Sequence, residues 1–124
     1  MSKITYSIHH ASMMVADTQR AIDFYSGVLG LQQTERIPLP FPGAWFQLGE
    51  QQLHVLELES LDATTGRPEH GGLDRHVALT VEELAPVKAL LEKAGVKYSL
   101  SKSGRPALFC RDPDGNAIEV IGKF

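Results

Sequence analysis

The strongest constraint on this fold is an internal repeat. Setting H10-A-S-M-M-V-A-D17 over H76-V-A-L-T-V-E-E83 places His10 on His76, Val15 on Val81 and Asp17 on Glu83. A segment that recurs in this way is one supersecondary unit used twice. A helical pattern follows each copy. Ala21, Ile22, Tyr25, Val28 and Leu29 recur at the three-to-four-residue spacing of one helix face, and Gly30 ends the run. Leu84, Val87, Leu90, Leu91 and Ala94 do the same before Gly95, with Pro86 tolerated in the first turn. The rest of each half reads as strands, over 31–39, 44–48 and 51–58, then 96–100, 106–111 and 116–121. The turn D112-P-D-G-N116 is a hairpin signal, without the further spaced oxygens of a calcium loop. Each half is thus β-α-β-β-β. The prediction is one α+β domain, with module one at about 4–59, a polar glycine-rich linker at about 60–72 and module two at about 73–122.

The register extends to the last strand of each half. Q51-Q-L-H-V-L over N116-A-I-E-V-I puts His54 on Glu119, and the His10–His54 and His76–Glu119 separations are 44 and 43 residues. Alternate residues of a strand share a face. His10, Ser12, Met14 and Ala16 therefore lie on one side of the first strand, and His9, Ala11, Met13 and Val15 on the other. On the matching strand Val77, Leu79 and Val81 form an apolar face that must pack beneath a helix, leaving His76 on the open face. Parity selects His10 over His9. His10, His54, His76 and Glu119 are the candidate metal ligands. Three imidazoles and a carboxylate suit Zn, Ni, Co, Mn or Fe, with a position left for water or substrate. Glu57 is the rival to His54, on the opposite parity and out of step with the repeat.

Bulk properties exclude other classes. The chain has 124 residues, a net charge of −3 and no apolar run approaching the roughly 18 residues of a membrane span. Neither a nucleic-acid nor a membrane-surface partner is expected. The start M-S-K-I-T-Y lacks a signal-peptide design, which predicts a cytoplasmic protein. Cys110 is the single cysteine, so no internal disulfide exists, and its alternation with Phe109 places it in the core. Met13, Met14 and Phe24 are read as core, and His9 and His70 as surface or loop. Arg36, Arg105 and Arg111 are strand-end charges able to hold an anion, with Arg105 first because G104-R-P106 opens a strand. Strand parity puts Trp45, Gln47 and Phe109 on the pocket wall. The segment 37–43 reads as a lid or a stiff turn.

These residues also carry a resemblance. H9-H-A-S-M-M-V-A-D17, A21-I-D-F-Y-S-G-V-L-G-L31, R75-H-V-A-L-T-V81 and F109-C-R-D-P-D-G-N-A-I-E-V120 resemble, in order, the vicinal oxygen chelate superfamily. This is the group of glyoxalase I, bleomycin-resistance proteins and extradiol dioxygenases. The resemblance implies a curved, half-open sheet of eight strands around one metal ion, and a homodimer that sometimes shares its sites. It carries metal ligands onto His10, His76 and Glu119, with His54 where glyoxalase I has a carboxylate. The implied activity is that of a metal-dependent lyase or isomerase acting on a small substrate with neighbouring oxygens, Glu119 being the base. The other readings are a small-molecule sequestering protein and an Fe(II) extradiol dioxygenase.

Overall fold

The computed structural model describes residues 3–123. Its elements are β1 (His10–Val15), α1 (Thr18–Ile22), β2 (Gln32–Thr34), β3 (Gly43–Leu48), β4 (Gln51–Glu57), β5 (His76–Thr80), α2 (Ala85–Ala94), β6 (Tyr98–Leu100), β7 (Ala107–Arg111) and β8 (Ala117–Ile121). The eight strands form two four-stranded mixed sheets, ordered β1-β4-β3-β2 and β5-β8-β7-β6, and neither sheet closes on itself. In each sheet the first and last strands of the module run parallel and the other pairs run antiparallel. The repeated β-α-β-β-β order is therefore present in full.

Side-chain alternation decides which way each sheet faces. Ala11, Met13 and Val15 of β1, Leu53 and Val55 of β4, and Leu108, Cys110, Ile118 and Val120 of β7 and β8 all belong to or pack against one apolar core. Ala21, Phe24, Tyr25, Val87 and Leu91 cover it from the helices. Leu53 is fully buried, and Leu53→Ala would cost about 2–5 kcal/mol. Burial pushes the Cys110 thiol up to about 12, which leaves it an unreactive core residue as expected.

Several local expectations need correction. Met14 is not core: it shares the open face with His10 and Ser12 and is 36% exposed. Leu90 and Ala94 are exposed, because α2 buries only the narrower stripe of Val87 and Leu91. The first helix is α-helical only to Ile22 and continues as a π-helical turn over Asp23–Val28. The wider turn brings consecutive side chains nearer to one face, so adjacent Phe24 and Tyr25 are both buried. The strand expected over 31–39 is ordered as a strand only at Gln32–Thr34, and 37–42 carries no regular structure.

The turn D112-P-D-G-N116 does more than reverse the chain. Asp112 Oδ1 accepts the backbone N–H groups of Asp114 and Asn116, and Oδ2 accepts the Tyr25 hydroxyl at 2.6 Å. Asp114 accepts from the Ala16 N–H and from Arg20, and Asn116 Nδ2 donates to the Met14 carbonyl. Gly115 has φ +85°, and an added Cβ would lie 3.0 Å from the Thr64 carbonyl oxygen. Module two is thereby tied to β1 and to the first helix. Burial, followed by the Asp112 charge, raises the Tyr25 phenol well above its ordinary value, so it stays protonated as the donor. Tyr25→Phe is expected to lower the unfolding free energy by about 1.5–3 kcal/mol in urea denaturation, the range for a hydrogen bond to a charged group.

Candidate metal centre

The ladder registers place the candidate residues. On the parallel pair β1–β4, His10 pairs with Gln52, and His54 lies two residues further along the same face. On β5–β8, His76 pairs with Ala117, and Glu119 lies two residues further along. The two modules hold their ligand-type residues in the same register.

In module one the rings form a stack. Trp45, paired with His54 across β3–β4, lies over it with centroids 4.1 Å apart and planes at 4°. His10 covers the other side at 4.0 Å and 13°. His54 is 6% exposed, while His10 is exposed. Burial, followed by the nearby charges of His10, His9 and Arg36, lowers the His54 imidazole to about 4. It is therefore neutral at physiological pH, the form that ligates metals. His9 touches the group only through its ring edge, Nδ1 to His10 Nδ1 at 2.9 Å.

In module two, His76 Nδ1 lies 2.8 Å from the Asp74 carbonyl oxygen, which can only accept. The hydrogen is on Nδ1, and in the neutral ring Nε2 carries a lone pair. That lone pair faces Glu119 Oε1 at 3.2 Å. Two acceptors at this separation are stable together only with a proton or a cation between them. Ligands sharing one ion at about 2.0–2.2 Å stand roughly 3.0–3.4 Å apart, so the pair fits a divalent metal. The carbonyl that fixes the ring is the usual outer partner of a metal-binding histidine. Glu119 is 3% exposed, and its Oε2 accepts from Arg105 Nη2 at 3.2 Å. Phe109, paired with Glu119 across β7–β8, meets the His76 ring edge-on at 5.2 Å. A cavity of about 300 Å³ opens here, lined by His76, Glu119, Arg105, Phe109, Leu73 and Ser103 among others.

The two pairs do not merge within the chain. Among the described residues no three His, Cys, Asp or Glu side chains are grouped closely enough to hold an ion. The His10 and His54 ring planes are also too nearly parallel for their in-plane lone pairs to meet at one point. Joint coordination requires one ring to turn. Glu57 is engaged elsewhere, accepting the Thr18 N–H at the start of α1 at 2.8 Å.

Other expectations change. Arg111 is not a solvated strand end: it donates to Asp74, to the Gly115 carbonyl and to the Pro68 carbonyl. Arg36 donates to the Phe41 carbonyl and lies over the Phe41 ring, pinning the 37–42 turn. His70 caps the 3-10 turn Gly71–Leu73 and sits 4.9 Å from the Phe109 ring. Asp74 is the residue that sequence reasoning missed. Its carboxylate is held well below the usual range by hydrogen bonds from Arg67 and then Arg111, and this anchors the carbonyl behind His76. It left no sequence signal, because it acts on His76 through its backbone. Gln52 was also missed, although it sits on the His54 face, two residues away.

The model of the Glyoxalase/Bleomycin resistance protein/Dioxygenase superfamily matches residues 7–120. The chain belongs to this superfamily. It is 31% identical to a lactoylglutathione lyase of Escherichia coli O157:H7, over 90% of this chain and 89% of the relative. It is 29% identical to the mitochondrial methylmalonyl-CoA epimerase of Mus musculus, over 91% of this chain and 70% of the relative. A crystal structure of a glyoxalase family protein from Bacillus anthracis has the same fold, with a TM-score of 0.80 and 22% identity over the full length of both chains. No helix among the described residues is long and apolar enough to cross a membrane.

Trp45, the chain's single tryptophan, reports on the stack. Titrating Zn(II) or Ni(II) into metal-free protein is expected to change Trp45 fluorescence as the exposed His10 ring turns out of the stack. His54→Ala should abolish the change.

Proposed function

We propose that this member of the superfamily is a divalent-metal lyase or isomerase, with His10, His54, His76 and Glu119 as ligands. The observation that carries the reading is His76 Nε2 lying 3.2 Å from the buried Glu119 carboxylate, with the opposite ring nitrogen tied to a backbone carbonyl. The donor set suits Zn, Ni, Co, Mn or Fe. When bound, it supplies Lewis-acid polarisation of two neighbouring oxygens on a small substrate. Glu119 Oε2 would take the proton from the hydroxyl-bearing carbon, leaving the electron pair on the substrate as an enolate, and would return it to the neighbouring former carbonyl carbon while the hydroxyl proton passes to the other oxygen, so that hydroxyl and carbonyl exchange places. Arg105 is 44% exposed in its side chain and holds Oε2 until it moves to an anionic group of the substrate. Phe109, Trp45 and Gln47 form the walls of the site.

The four ligands come together across a homodimer, with His10 and His54 of one subunit meeting His76 and Glu119 of the other. Support comes from the two half-sites lying apart within one chain and from the apolar residues beside them. Ile8, 71% exposed, lies two residues before His10, and Leu73, 80% exposed, borders the Glu119 cavity. A second subunit would cover both.

Metal content after purification tests the ligand set. His10→Ala, His76→Ala and Glu119→Ala should each lose the ion, and His9→Ala should keep it. Loss on Glu57→Gln with retention on His54→Gln would reverse the choice of fourth ligand. Unfolding and refolding His10→Ala together with Glu119→Ala tests the shared site. Mixed dimers carry one intact set, so binding should return to about a quarter of the wild-type ions per chain (half of the dimers mixed, one site in each). A site contained in one chain would return none. Exchange of the α-proton on a panel of 2-hydroxy acids, 2-oxo acids and thioesters tests the reaction. Bound metal and tight ligand binding without exchange would instead indicate sequestration, and oxygen uptake with catechols under Fe(II) a dioxygenase.

A further inference from the structure

The side chains behind His54 form a hydrogen-bond chain with one direction. Gln47 Nε2 lies 2.7 Å from the Gly49 carbonyl oxygen and 3.2 Å from that of Gln51. Carbonyls only accept, so this end of the Gln47 amide is the NH2 group. Gln47 Oε1 therefore accepts, and Gln52 Nε2 donates to it at 2.9 Å. Gln52 Oε1 is left facing His54 Nε2 at 2.8 Å. An amide oxygen cannot donate, so the hydrogen is on His54 Nε2 and the lone pair of the neutral ring is on Nδ1. Turning either amide over would set oxygen against oxygen. The backbone carbonyls of the β3–β4 turn thus dictate the protonation pattern of a ring several residues away.

We propose that Gln47 and Gln52 are positioning residues that lock His54 in the Nε2–H tautomer and make Nδ1 its metal-binding atom. The binding half of this statement rests on His54 being a ligand; the tautomer half does not. The repeat is then asymmetric at the level of single atoms. His76, fixed through Nδ1 by the Asp74 carbonyl, offers Nε2, whereas His54, fixed through Nε2 by Gln52, offers Nδ1. Nδ1 is the nitrogen nearer the backbone, so the donor atom that His54 would offer has a shorter reach from its strand than the one His76 would offer. Trp45 and His10 hold the ring plane from either side, and the glutamines set which edge is available.

Long-range proton–nitrogen NMR on metal-free, nitrogen-15-labelled protein reads the tautomer directly. The expected result is a protonated Nε2 and an unprotonated Nδ1 on His54. Gln52→Leu should shift the ring toward a mixture of tautomers and weaken Zn(II) binding about 10- to 100-fold in a chelator competition, the usual cost of losing an outer partner. Gln52→Glu loses the donor to Gln47 Oε1, but its carboxylate oxygens can only accept, so the hydrogen should stay on His54 Nε2. Gln47→Leu removes the anchor without touching His54 and should loosen the tautomer on its own. Both glutamines lie outside the apolar core, and circular dichroism verifies that each variant folds. A wild-type His54 protonated on Nδ1 overturns the proposal, as does a Gln52→Leu protein with unchanged tautomer and affinity. Unchanged zinc affinity in His54→Ala would overturn the ligand role of His54 while leaving the tautomer result standing.

Discussion

The parallel pairing of the first and last strands in each module is the constraint on which the site depends. It places a residue of β4 or β8 two positions beyond the residue opposite His10 or His76, on the same face. His54 and Glu119 occupy these positions. The same pairing buries Leu53 and Val55 in one module and Ile118 and Val120 in the other, on the opposite face. A slip of one residue would expose these core side chains and bury the polar ones. The core therefore enforces the register of the polar face, and the chemistry rests on hydrophobic packing.

Both halves use an outer partner to choose a ring nitrogen, but the partners differ. The Asp74 carbonyl is kept in place by two arginines on its own side chain, Arg67 and Arg111, which also fasten the segment leading into β5. In module one the β3–β4 turn does this work through two glutamines. The repeat accounts for the common frame, and the side chains at the equivalent positions differ: two imidazoles in one module, an imidazole and a carboxylate in the other.

The frame was legible in the sequence because period-two alternation and the repeat are both written in residue types. Parity together with the repeat separated His10 from His9, and parity put Cys110 in the core and Trp45 and Phe109 on the ligand-bearing face; their ring contacts with His54 and His76 are structural findings. The pairings within each half also followed from the repeat register. Features that depend on backbone atoms or tertiary closure were not legible. The π-helical turn that buries Phe24 beside Tyr25 has no residue signature, and neither does the Asp74 carbonyl. Met14 was misjudged because its apolar side chain was given more weight than its parity, which already set it beside His10 on the open face. Arg36 and Arg111 were misjudged because their partners, a carbonyl for Arg36 and for Arg111 carbonyls and the Asp74 carboxylate, are brought near only by folding.

The central claim is that the two equivalent pairs make one metal site. A crystal structure of the metal-loaded protein, with anomalous data at the metal absorption edge, tests it most directly. The account predicts one ion per chain, bonded to His10 and His54 of one subunit and to His76 and Glu119 of its partner. An ion held by one pair alone, or two ions per chain with each pair filled separately, would contradict it.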